Sequence, residues 1–284
     1  MIAQAHEPFY AELTSRNRGL ISDQEQARLR AVRFVIAGCG STGGACVMPL
    51  LRSGAERFVL FDPGQYDVSN LNRQDATLAD VGRNKAEAAK ARILSVNPFA
   101  TVDVHARGVQ PDVIGSLLQP DDFVIDAVDV TTRTGIAAKL ALHRSACDQR
   151  LMVLTAYDIG PTQWLELFDY RRQQRPLGGR VTRVDRPDQV LRALIPPLAV
   201  PREIFAELLQ RRNEPDRGFP QLAMTSNLLG ALIVPYALRL LTGRRVRRRM
   251  RVDLYDLIRP VPQRLGARVR QVGGLAALWW RLRG

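Results

Sequence analysis

Apolar and polar positions along this chain follow two rhythms. Short runs of branched and aromatic residues recur, separated by longer segments with helical spacing. Val32 to Gly38 (VRFVIAG), Arg57 to Phe61 (RFVLF), Thr101 to His105, Phe123 to Ala127 (FVIDA) and Leu151 to Ala156 (LMVLTA) read as five strands. Runs this short and this apolar suit parallel strands buried on both faces. Ser22-Asp-Gln-Glu25 has the pattern of a capping box and opens a helix ending near Ala31. A second helix carries Cys46 to Arg52 and stops at Ser53-Gly54. Further helices are expected at Asn84 to Val96 and Thr134 to Asp148. Strands alternating with helices predict an α/β fold, Rossmann-like and doubly wound. Its sheet is mostly parallel, with helices on both faces.

The rhythm divides the chain into four stretches. Residues 1–31 form a helical N-terminal segment and 32–170 the alternating core. Residues 171–221, rich in Arg, Pro and Gly, read as a basic, partly flexible crossover insertion with one helix from Pro201 to Arg212. Residues 222–284 form a C-terminal extension that completes the same domain. It holds a long apolar helix, Leu222 to Leu241, with a kink expected at Pro235. An alternating run, Val252 to Leu257, reads as a late strand. Gly274 to Arg283 reads as a short amphipathic helix; Leu275, Leu278, Trp279 and Trp280 are read there as core packing.

Gly38-Cys-Gly40-Ser-Thr-Gly43-Gly44 is a G-x-G-x-x-G turn between a strand and a helix. Glycines let the backbone approach a phosphate, and the helix N-terminus presents free amides to the anion. Asp62 closes the second strand, where a carboxylate can accept ribose hydroxyls. These features alone fit a dinucleotide enzyme equally well. The residues after Asp62 change the balance. Asn70, Arg73, Gln74 and Lys85 follow the second strand, in the loops that build the ligand crevice of such sheets. Arg73 offers a bidentate fork for phosphate oxygens and Lys85 a point charge. Charged groups of this kind suit a triphosphate whose pyrophosphate leaves.

With these residues in view, the chain resembles the ThiF/MoeB/HesA family of ubiquitin-activating-like adenylyltransferases. GCGSTGG, Asp62, SNLNRQ, VGRNKA, VNP, the D-x-x-D from Asp126 to Asp129, and Leu240-Leu-Thr-Gly243 carry the resemblance. It implies that ATP phosphates lie on the turn of Gly38, Gly40, Gly43 and Gly44. Asp62 would take the ribose, and Asn70, Arg73, Gln74 and Lys85 the phosphates. Asp129 would hold Mg2+, whereas Asp126 reads better as a buried carboxylate bonded to loop amides. The family's homodimers imply an arginine acting in trans, either Arg16 or Arg18. The implied reaction is attack of a carboxylate on the α-phosphorus of ATP, giving an acyl-adenylate and pyrophosphate. Substrates of this class are a small acid, a peptide or a ubiquitin-like carrier protein.

Composition trims this picture. The chain has 284 residues, three cysteines and three histidines. It lacks the paired CxxC motifs of a structural zinc site, so no zinc is expected. No cysteine occurs in residues 148–284, which argues against a thioester step. The absence of a basic-then-apolar start and of a long apolar run leads us to expect a cytoplasmic protein without membrane attachment. The charge is uneven: net −3 over residues 1–170 and +16 over the rest. The Arg244 to Arg251 run therefore offers an RNA-binding surface, with an RNA-directed dehydratase or cyclase as the alternative function. The competing reading is a charged cap after the Gly243 helix end. A non-catalytic nucleotide binder is the remaining alternative.

Overall fold

The computed structural model describes residues 5–214 and 218–283, without the side chains of residues 212, 213 and 276–283. The chain starts with α1 (His6–Leu13) and α2 (Asp23–Ala31). Ser22 Oγ accepts the Glu25 amide at 3.3 Å, and the Glu25 carboxylate accepts the Ser22 amide at 3.0 Å. The capping box is thus formed, and α2 ends at Ala31. Then come β1 (Arg33–Ala37), α3 (Ser41–Arg52), β2 (Arg57–Phe61), α4 (Lys85–Val96) and β3 (Thr101–His105). They are followed by α5 (Ile114–Leu117), β4 (Phe123–Asp126), α6 (Arg133–Asp148) and β5 (Met152–Ile159). After β6 (Thr162–Asp169) come α7 (Pro187–Leu194), α8 (Phe205–Asn213) and α9 (Ala223–Leu241). β7 (Arg249–Asp253), α10 (Leu254–Ile258) and α11 (Val261–Arg283) close the chain.

The strands form one sheet in the order β3-β2-β1-β4-β5-β6-β7. β1 to β5 pair in parallel, and β6 runs antiparallel to both β5 and β7. The winding reverses between β1 and β4, so the carboxyl ends of these two strands flank a crevice. Alternation sends Phe34 and Ile36 into the layer of α3, α4 and α9, and Val35 and Ala37 into the layer of α5 and α6.

α9 lies along α3. A Cβ on Gly230 would stand 2.3 Å from Ala45 O, so only glycine lets the two helices meet there. Against the expectation of no long apolar run, α9 is by length and composition long and apolar enough to cross a bilayer. In this fold it is a core helix, with Leu229, Ile233 and Ala237 fully buried.

Four expectations need correction. β6 has no counterpart among the expected strands; Gln163, Glu166 and Asp169 interrupt its apolar run, yet all eight residues are buried. The expected strand at Val252 to Leu257 ends at Asp253 instead. Asp253 Oδ1 accepts the amides of Tyr255 and Asp256 and so starts α10. Among its described residues the crossover stretch is anchored to the core: Leu177, Val181, Val190, Leu194, Ala199 and Ile204 are buried beneath the sheet. Its prolines start short turns and α7, too brief to show a helical period. The expected helix from Gly274 is the end of the longer α11; the side chains of Leu278, Trp279 and Trp280 lie outside the described residues.

Gly230→Val should force α3 and α9 apart. Urea denaturation is expected to show about 1–3 kcal/mol lost, the usual range for overpacking.

Candidate functional site

The glycine turn sits at the carboxyl end of β1. Gly38 has φ +93°, and a Cβ there would lie 2.4 Å from Ala127 O, in the loop after β4. A Cβ on Gly43 would lie 1.9 Å from Gly38 O, and one on Gly44 2.7 Å from Cys39 O. These three glycines are required by backbone packing. Gly40 is different. A Cβ there would meet nothing closer than the Gln74 amide at 3.8 Å. Gly40 precedes the first turn of α3, where no side chain caps the free amides. Its small size keeps that helix end open to an anion.

Asp62 closes β2 and is buried. Its Oδ2 accepts the Cys39 amide and its Oδ1 the Gly64 amide, both at 2.7 Å. The carboxylate thereby ties β2 to the glycine turn. Burial raises its pKa above the ordinary value, against the pull of these amides and of Lys85. Asn84 caps α4 by accepting the Ala86 amide at 3.0 Å, and donates to Asp62 O at 2.8 Å. Lys85, the first residue of α4, is thus delivered beside Gly64 and the Tyr66 ring, 5.7 Å from Nζ.

The SNLNRQ run folds into a short 3-10 turn. Asn70 is buried, and its Oδ1 accepts the Asp67 amide at 3.3 Å. Arg73 Nη1 donates to Ser69 O and Asn72 Oδ1, at 3.0 and 2.8 Å. Arg73 Nε and Gln74 Oε1 are buried without a partner. Such groups favour a ligand that satisfies them. Burial lowers the Arg73 pKa, with Asp158 opposing.

Asp129 is exposed in the loop after β4, its oxygens accepting the Thr131 amide and hydroxyl at 2.8 and 2.7 Å. Among the described residues no group of three or more His, Cys, Asp or Glu could hold a metal alone. A single carboxylate still suits Mg2+, which commonly takes one or two carboxylates and completes its shell with phosphates and water.

Asp126, at the end of β4, joins a buried network rather than loop amides alone. Its Oδ1 accepts the Val128 amide at 3.1 Å. Its Oδ2 pairs with Lys139 and accepts His143 Nε2–H at 2.8 Å. Tyr170 OH accepts the Leu177 amide at 2.9 Å and has its own proton available for His143 Nδ1, 2.6 Å away. With Nε2–H donating to Asp126, this arrangement suits a neutral imidazole. Burial lowers its pKa in the same sense. For Asp126 burial acts upward, but Lys139 and His143 outweigh it and hold the carboxyl below its usual range. The network braces the loop that carries Ala127 and Asp129.

Sequence reading missed Lys139, His143 and Asp158. Asp158, the penultimate residue of β5, accepts from Thr42 Oγ1, Gln163 Nε2 and Ser226 Oγ at 3.2, 2.8 and 3.0 Å. It fixes the start of α3 to β6 and α9. No local motif marks these residues, because their partners lie on other elements.

Arg16 and Arg18 lie elsewhere. Asn17 Nδ2 donates to Ser53 O at 3.1 Å, at the far end of α3. That end is about 18 Å from the glycine turn at 1.5 Å per residue. The Arg244 to Arg251 run is also remote, past the far end of α9. Arg244 pairs with Glu25, Arg249 with Glu166, and Arg251 with Asp253 and Asp256. Among the described residues only Arg245 and Arg247 of the run have guanidinium groups without a partner. The run therefore serves largely to stitch the sheet edge, which narrows its scope as an RNA surface.

A model of the ThiF family matches residues 14–263. The tRNA threonylcarbamoyladenosine dehydratase of Haemophilus influenzae is 30% identical over 176 residues, covering 60% of this chain and 65% of that protein. Ubiquitin-like modifier-activating enzyme 5 of Drosophila grimshawi is 25% identical over 246 residues, covering 82% of this chain and 56% of that protein. The chain thus spans less than two thirds of either relative's length. The solved structure of PaaA has the same fold, with TM-score 0.63 and 19% identity, covering 90% of this chain and 73% of that one.

The buried network sets an acid limit on stability. His143 and Asp126 both have folded pKa values below their ordinary values of 6.5 and 3.8. Their contributions are whole above those values and fall as pH drops, because the unfolded chain takes up the protons first. Chemical denaturation should show stability falling below pH ~6.5 and more steeply below ~3.8. His143→Gln should flatten the first limb. Lys139→Met, which strands Asp126, should cost about 3–5 kcal/mol at neutral pH.

Proposed function

We propose that this chain, which belongs to the ThiF family, is an ATP-dependent adenylyltransferase that activates a carboxylate. The observation that carries this reading is the convergence at one crevice. The uncapped amides of α3, the unsatisfied Arg73 and Gln74 groups, Lys85 and Asp129 all border the ends of β1, β2 and β4. The triphosphate would lie against the α3 amides, with Arg73 and Lys85 on its oxygens and Asp62 toward the ribose. Mg2+, held by Asp129 and the phosphates, would offset charge on the departing pyrophosphate. A substrate carboxylate oxygen attacks the α-phosphorus. The bond from that phosphorus to the β-bridging oxygen breaks, and pyrophosphate leaves with the electron pair. No general base is needed, since the nucleophile is already ionised; positioning and charge neutralisation supply the catalysis.

The substrate is a small acid, a peptide or a protein C-terminus. Transfer to a cysteine of this chain is disfavoured. Cys39 and Cys46 are buried, Cys147 is half-buried near the end of α6, and burial pushes all three thiols up from their ordinary pKa. Arg16 or Arg18 of a second copy would reach the site that their own copy cannot, making the enzyme a homodimer. Direction to a carboxyl group in RNA is the alternative. Retention on RNA that falls with salt and is lost on replacing Arg245 and Arg247 would favour it.

Exchange of labelled pyrophosphate into ATP tests the class. Exchange should require a carboxylate substrate and fall at least about 100-fold in Asp129→Ala. ATP binding with no exchange across small acids, peptides and RNA would leave a nucleotide binder instead. Mixing Asp129→Ala with a variant in which Arg16 and Arg18 are both alanine should restore part of the exchange, because one site of the mixed dimer is whole. Failure to restore it would remove the arginine in trans.

A further inference from the structure

α10 and α11 leave an apolar stripe uncovered. Ile258, Val261, Leu265, Val269 and Val272 are 80%, 62%, 64%, 73% and 56% exposed. Their spacings of 3, 4, 4 and 3 place them on one side of a helical path. From Val261 to Val272 the stripe runs about 17 Å at 1.5 Å per residue. An uncovered apolar row of this length is unusual on a soluble surface.

The helix is not free to roll and hide it. Its other side is fixed: Gln271 is buried, and its Nε2 donates to Leu198 O at 3.1 Å and Val200 O at 2.6 Å. Ala267 is buried beside it, and a Cβ on Gly274 would meet the Phe205 ring at 2.7 Å. Turning the stripe inward would break those bonds and expose the Gln271 side.

Among the described residues the charge beside the stripe that is left unpaired is positive, since Asp256 and Glu203 are taken up by Arg259 and Arg268. Residues 257–284 hold six arginines and no aspartate or glutamate. Arg268 is paired with Asp256. Arg264 and Arg270 are exposed and have no carboxylate partner among the described residues. A second copy laid on the stripe would set these arginines against their own kind. A lipid surface fits less well too. At 100° per residue the exposed apolar positions among the described side chains of α11 span an arc of about 80°, narrower than the broad apolar face of a helix lying in a bilayer. A narrow seam with basic flanks matches another helix of the opposite charge.

We infer that the α10–α11 face docks an acidic amphipathic helix of a partner protein, with the apolar stripe as its seam and Arg264 and Arg270 meeting its carboxylates. The site lies outside the nucleotide crevice, so it stands whichever carboxylate is activated.

The probe is a labelled synthetic helix of three heptads with leucine in the seam and glutamate on both flanks. Its control has lysine in place of glutamate. Fluorescence anisotropy with the full chain should show the acidic helix binding at least tenfold tighter than the control. Leu265→Asp with Val269→Asp should weaken that binding at least tenfold while leaving Tm and ATP-dependent pyrophosphate exchange unchanged, since both side chains are exposed. Equal binding of the two helices, or binding unaffected by the double substitution, overturns the inference. So does co-flotation with vesicles of phosphatidylcholine and 30% phosphatidylglycerol that the double substitution abolishes while neither helix binds, which assigns the face to lipid. Dimerisation in sedimentation that is lost in the same variant, with no helix binding, assigns it to a second copy.

Discussion

The contact between the Gly38 backbone and Ala127 O fixes the geometry of the crevice. No side chain fits between them, since a Cβ would stand 2.4 Å from that oxygen. The contact joins the loop after β1 to the loop after β4 at the point where the sheet reverses. Gly43 then presses against Gly38 O, which sets the pitch at which α3 leaves the turn. The free amides of α3 and the carboxylate of Asp129 take their places from these approaches. Asp62 secures the third side through the Cys39 amide.

Beneath that contact lies an expensive arrangement. Asp126, Lys139 and His143 are almost wholly removed from water. Burying charge is unfavourable unless it is paired and fully bonded. Here each group has its partner, and Thr155 Oγ1 completes the set by donating to Asp126 O at 2.9 Å. The network reaches Tyr170 and then the Leu177 amide, in the crossover segment. A stretch that is poor in periodicity is thereby bonded to the loop carrying Asp129. This bonding and buried Val190 and Leu194 anchor it, rather than long helices.

The arginines do two kinds of work. Arg180 and Arg249 flank Glu166, and Arg251 bridges Asp253 and Asp256, all along the β6–β7 edge. These pairs neutralise buried carboxylates and help protect an edge that would otherwise invite strand addition. Others, such as Arg264 and Arg270, face solvent beside apolar residues. The net charge of +13 does not distinguish the two uses; only placement does.

The sequence by itself determined the parallel half of the fold and put the glycine turn at the end of β1, where the sheet reverses. Apolar runs located β1, β2, β4 and β5 to within a residue or two at most ends, because strands buried on both faces need continuous apolar residues; β3, at the sheet edge, is only partly buried. The glycine turn, Asp62, SNLNRQ and Lys85 were legible because their spacing is local to one strand-turn-helix unit. Only the tertiary structure decided the rest. Gln163, Glu166 and Asp169 made β6 look too polar for a buried strand, yet partners from β5, β7, α9 and the crossover bond all three, with only Gln163 Oε1 left unpaired. Asp253 turned an apparent strand into a helix start through a cap that alternation cannot reveal. Lys139 and His143 carry no motif, since their meaning comes from Asp126 on another element. The resemblance implied Arg16 or Arg18 acting in the site of a second copy; the fold holds their segment at the far end of α3, a helix about 18 Å long whose other end carries the glycine turn. Local patterns fix what a segment can form. Contacts between distant segments fix which buried charges are tolerated and which surfaces stay open.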